Sequence, residues 1–103
     1  MTRHRTINVR RIASADPLAF EITVRERGSE THHRVTLAKR DYDRISGGHY
    51  APEKCVEAAF RFLLDREPKE SILGRFDLTV ISRYFPEFER ELPGYLAGAD
   101  RRD

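Results

Sequence analysis

Residues 20–37, FEITVRERGSETHHRVTL, decide the fold, because apolar and polar residues alternate on both sides of Gly28-Ser29. A period of two sends successive side chains to opposite faces of a strand. Reading Gly28-Ser29 as a two-residue turn sets Val24, Ile22 and Phe20 opposite His33, Val35 and Leu37, with every apolar side chain on one face. The other face carries Glu21, Thr23 and Arg25 across from Thr36, Arg34 and His32. In that register Glu21 and Arg34 are diagonal neighbours, within reach of a cross-strand ion pair. The expectation is a β-hairpin over residues 18–37 with one buried face.

Towards the N-terminus, residues 7–12 alternate more weakly, with Ile7 and Val9 on one side, and stop before Ser14-Ala15-Asp16-Pro17, a cluster of turn formers. This reads as an edge strand, so the sheet is expected to have two or three antiparallel strands. Towards the C-terminus the period changes. Tyr42 and Ile45 lie three apart, Asp41 falls in a first turn, and Gly47-Gly48 supplies a C-cap, which makes a short helix of residues 39–46.

Pro52 and Glu53 then open the strongest helix, residues 52–67, since proline is tolerated in a first turn. Its apolar residues Cys55, Val56, Ala59, Phe60, Phe62, Leu63 and Leu64 cover about half the circumference at 100° per residue. A stripe that wide predicts a central helix covered on two flanks. Pro68 breaks it. Asp77 is an N-cap for a last helical segment, residues 77–92, in which Leu78, Ile81, Phe85, Phe88 and Leu92 recur at helical spacing. Pro86 should kink that segment and Pro93-Gly94 should end it.

At PEKCVEAAFRFLLDREPKESI, residues 52–72, and FDLTVISRYFPEFE, residues 76–89, the chain resembles a group of small bacterial proteins of uncharacterised activity. Their pattern is a strand pair, a helix opened by a PEE-type start, a REPKESIL-type link and a RYFPE-type aromatic-proline ending. The resemblance spans about the last 85 residues of the chain. It implies a bacterial protein of that architecture and transfers no activity and no site residue.

The 103 residues suit one domain with one core, residues 1–6 and 97–103 being expected as flexible tails. The net charge of +2 hides an asymmetry: residues 1–50 hold ten Lys/Arg against six Asp/Glu, and residues 51–103 hold nine against eleven. Arg3, Arg5, Arg10, Arg11, Arg25 and Arg34 in the basic half are the candidate contacts for an anion, phosphate above all. No helix-turn-helix, RNP or zinc-finger spacing accompanies them, and Glu21, Glu26 and Glu30 dilute them.

One cysteine, Cys55, and an opening MTRHRTINVRR without an apolar h-region point to a reducing cytoplasm. No apolar run approaches the roughly 20 residues of a membrane span. His4, His32, His33 and His49 lack metal-ligand spacing with one another or with Cys55, and His32 and His33 point to opposite faces. No GxSxG elbow or phosphate-loop signature is present; Gly47-Gly48 ahead of the Pro52 helix reads as a cap and turn before it reads as an anion cradle. Neither a cofactor nor a metal nor a catalytic residue is therefore expected.

The aromatic cluster Tyr84, Phe85 and Phe88 beside Pro86 is the candidate partner patch, should the proline turn a ring outward. The expected fold is α+β, the antiparallel sheet packed on the central helix 52–67, with the kinked segment 77–92 on that helix's far side. The expected function is a non-catalytic binding or protein-interaction module. Its partner would be another protein or a second copy, not a membrane; nucleic-acid binding through the basic half is the rival and a small enzyme stands third.

Overall fold

The computed structural model describes residues 5–100 and is α+β, a four-stranded mixed sheet with helices. Strands β1 (Arg5–Ala13), β2 (Leu18–Glu26) and β3 (Ser29–Leu37) form an antiparallel meander. A fourth strand, β4 (Arg75–Asp77), joins β3 in parallel, giving the order β1-β2-β3-β4. The two or three antiparallel strands expected are thus three, and a short parallel strand is added at the edge. Residues 5–6 open β1; residues 1–4 and 101–103 of the two expected tails lie outside the described residues.

The hairpin turn lies one residue earlier than the sequence reading placed it. Glu26 pairs with Ser29, so Arg27 and Gly28 are the central residues, with φ of 59° and 80°. Two positive φ values define the type I′ turn, whose twist matches that of the strands it joins, and glycine takes the second position without a steric cost. The register consequently sets Phe20 opposite Val35 and Ile22 opposite His33. A shift of two pairing positions leaves every side chain on its face, so Leu18, Phe20, Ile22, Val24, Val35 and Leu37 are all buried as the alternation requires. Glu21 and Arg34 become direct rather than diagonal partners.

Helix α1 (Lys39–Ser46) ends on Gly47 in the left-handed conformation, φ 62°. Its first amide, on Lys39, donates to Asp16 Oδ1 at 3.0 Å, so the turn between β1 and β2 caps a helix more than twenty residues away in sequence. Helix α2 (Pro52–Leu64) starts on Pro52 as expected and stops short of residue 67. Phe60 and Phe62 are both fully buried, and about 200° of helical rotation separates them. Phe60 meets His33 and Phe76 on the sheet side, ring centroids 5.3 and 6.1 Å away. Phe62 meets Phe85, Phe88 and Tyr95 of the C-terminal segment at 5.8, 5.1 and 5.7 Å. The helix is covered on both flanks, as its wide apolar stripe demands.

The single helical segment expected over residues 77–92 is three pieces. Asp77 does cap a helical start, accepting from the Thr79 amide at 3.1 Å, but that start is one 3-10 turn, Leu78–Val80. It runs into α3 (Ile81–Tyr84), which ends at Phe85 because a residue before proline is driven out of the helical region. Helix α4 (Phe88–Asp100) restarts beyond Pro86 and carries Pro93 in its interior. Pro93 removes one hydrogen bond, yet Phe88, Leu92 and Leu96 are buried on one face and hold the helix through it. Arg66 ties α4 to α2: it donates to Glu87 at 3.1 Å and Glu91 at 2.8 Å while its guanidinium lies 3.7 Å from the Phe62 ring centroid.

Two substitutions test this arrangement. Phe60→Ala should cost about 3–5 kcal/mol in urea unfolding, because it opens a cavity between helix and sheet; a variant as stable as the parent would make α2 peripheral. Arg27→Asn should add about 0.5–1 kcal/mol, since asparagine tolerates the left-handed region better than arginine. A loss of stability there would rule out the Arg27-Gly28 turn.

Candidate functional site

The link from α2 to α3 crosses from the helix end to the far edge of the sheet, and it is fastened at two points. The Arg34 amide donates to the Gly74 carbonyl at 2.8 Å, which starts the β3–β4 pairing. One residue before, the buried His33 ring donates from Nδ1 to the Leu73 carbonyl at 2.8 Å, and its Nε2 accepts from the Thr31 hydroxyl at 2.8 Å. Both nitrogens are used in the neutral form. Burial accordingly holds the His33 pKa below its ordinary 6.5, although the Leu73 carbonyl pulls the other way. Asp77 locks the end of the link; burial would raise its pKa, but Thr36 and Thr79, each donating at 2.6 Å, lower it on balance.

Where this link passes α3 it leaves a half-open groove of about 400 Å³. Leu63 and Phe76 line it from the core, Ile72 and Leu73 from the link, and Val80 and Tyr84 from the helical turns beyond. Tyr84 is 68% exposed and Leu73 49%. Glu67 faces the same groove, just past the end of α2, with its amide donating to the Leu63 carbonyl at 2.9 Å. Half-burial pushes its carboxyl pKa above the usual range. Histidine, cysteine, lysine and arginine are absent from the lining.

The aromatic patch expected from sequence is thus split. Tyr84 lines the groove and is exposed, Phe85 lines it while its ring packs edge-on against Phe62, and Phe88, 1% exposed, belongs to the core. Of the three rings, Tyr84 is the exposed one. Glu67, Ile72 and Leu73 were not singled out by the sequence reading; the signal was an apolar pair in a link too short for a helix of its own.

The candidate anion contacts among the described residues are dispersed, each beside a carboxylate. On the open sheet face Arg10, Glu21, Arg34 and Arg75 form one row across four strands, with Glu21 paired to Arg10 and, at 2.8 Å, to Arg34. Arg25 reaches Glu30 at 2.7 Å and Arg5 lies 3.8 Å from Glu26. On the helix-facing side Arg11 makes two bonds of 2.9 Å to Glu53 in the first turn of α2. That carboxylate also occupies the helix end to which the Gly47-Gly48 approach leads. Arg3 lies outside the described residues, as does His4.

Among the described residues no three His, Cys, Asp or Glu side chains converge as a metal would require. His32 sits on the outer face near Thr23 and Glu30, away from His33. Cys55 is fully buried in α2, and burial alone pushes its thiol up to about 11. No helix among the described residues is long and apolar enough to cross a membrane. Comparison with protein-family models, with curated proteins and with solved structures finds no match, so the functional reading rests on the groove itself.

His33 gives this region a pH dependence of defined sign. The folded pKa lies below the unfolded one, so the unfolded chain takes up the proton first and the stabilisation, complete above about 6.5, is lost as pH falls from there towards the folded value. His33→Gln should lower stability at pH 7.5 by about 1–3 kcal/mol and flatten the part of the melting curve between pH 7 and 5. An unchanged slope would mean that His33 titrates alike in both states.

Proposed function

We propose that the protein is a non-catalytic interaction module that receives an apolar side chain of a protein partner in the groove between the α2–β4 link and α3. One observation carries the reading. Ile12, Leu73 and Tyr84 are the large apolar side chains exposed among the described residues, and two of the three line a single groove. Scattered apolar residues on a surface are ordinary, whereas convergence on a concavity floored by Leu63 and Phe76 leaves apolar area that a partner would cover. The groove's volume is within the range that encloses a few side chains.

The basic half supports nucleic-acid binding less well. Arg10, Arg11, Arg25 and Arg34 are each paired with a carboxylate, which a phosphate contact at those positions would first have to displace.

A neutral solvatochromic dye, Nile red, tests the reading directly. Titration should give saturable, one-site fluorescence enhancement, weakened at least about fivefold by Leu73→Asp and by Tyr84→Asp, both on exposed positions where the fold tolerates a charge. Enhancement that neither substitution alters would place the apolar site elsewhere. Submicromolar, salt-sensitive binding of duplex DNA in a parallel titration would move the function to the sheet face.

A further inference from the structure

The groove's one carboxylate says what the partner's side chain must carry. Half-buried acids elsewhere in the described residues are all satisfied from within the chain. Glu21, Glu26, Asp41, Glu53, Glu57, Glu87, Glu89 and Glu91 each have an arginine, and Asp77 has two threonines. Glu67 alone of this class has neither cation nor hydroxyl donor among the described residues, and no cationic side chain lines the groove around it. A carboxylate so placed costs desolvation that nothing in the chain returns.

Resting on the binding role proposed above, we infer that the groove takes a basic segment of a partner protein. A lysine or arginine lays its aliphatic stem along Leu73 and Tyr84 and sets its charge on Glu67, and a neighbouring apolar residue of the same segment fills the space over Phe76. The chemistry fits both ends of such a side chain, since long basic residues bury their methylenes on apolar surface and keep the head on a polar partner. Charge complementarity selects it over a purely apolar segment, which would bury Glu67 further without a partner, and over an acidic one, which would add repulsion.

A phage-displayed random heptapeptide library panned on the intact protein tests the inference. The expected result is enrichment of peptides with Lys or Arg next to an aromatic or aliphatic residue. Binding of the best of them, followed by fluorescence anisotropy, should weaken about tenfold in Glu67→Gln and be lost in Tyr84→Asp. Enrichment of apolar peptides without a basic residue, or a basic peptide indifferent to Glu67→Gln, would overturn the inference while leaving the groove as a binding site. No enrichment, or peptides indifferent to Tyr84→Asp, would overturn the groove reading as well. Sedimentation at the concentration used for panning closes the remaining route: a dimer that Tyr84→Asp dissociates would assign the groove to a second copy and overturn the basic-segment proposal.

Discussion

Covering α2 on two sides is the constraint from which the rest of the architecture follows. A helix with Phe60 and Phe62 on opposite flanks cannot rest on a sheet alone, because whichever ring faced water would forgo about 1.5–3 kcal/mol of burial. The hairpin takes the Phe60 side, and the chain must then bring a second apolar surface back over Phe62. Phe85, Phe88 and Tyr95 provide it. Between these two duties lies the link over residues 65–80, which leaves the end of α2, pairs briefly with β3 as β4, and returns. The groove is the concavity at that reversal, and the His33–Leu73 bond fixes its rim to the sheet.

Electrostatics bind the same pieces along the surface. The basic and acidic halves of the sequence look like separate fields, but folding interleaves them. Arg11 in β1 meets Glu53 in α2, and Arg44 in α1 meets Glu89 in α4 at 2.7 Å. Each pair is partly exposed and contributes little stability by itself. Together they offset part of the charge asymmetry that suggested an anionic partner, so a count of charges along the chain overstates the positive face.

What was legible in the sequence was periodicity, and what was not was geometry without a period. The hairpin's buried face followed from alternation even though the turn was assigned to Gly28-Ser29, because a pairing shift of two preserves every face. The double covering of α2 followed from the width of its stripe. Strand β4 has three residues, of which Phe76 alone is buried, too few for any pattern to register; its parallel pairing depends on Gly74 and His33, contacts forty residues apart in sequence. Pro93 misled for a related reason: local chemistry says that a helix stops there, and burial of Leu92 and Leu96 outweighs the one bond lost. Tyr84 was visible as an aromatic beside a proline. Glu67 was invisible, since an acid just past a helix end reads as solvated until the link folds over it.

That invisibility bears on the kind of chemistry the groove supports. The other titratable candidates have structural duties elsewhere. His33 uses both nitrogens to hold the link, and Cys55 is sealed inside α2 with its thiol protonated. Besides Glu67, the polar side chains lining the groove are Ser71 and Tyr84, and neither is hydrogen-bonded to it. A half-buried carboxylate beside an apolar floor attracts a cation more than it would in open water. Selectivity for a charge comes from the cost imposed on the wrong partner as much as from the contact made with the right one.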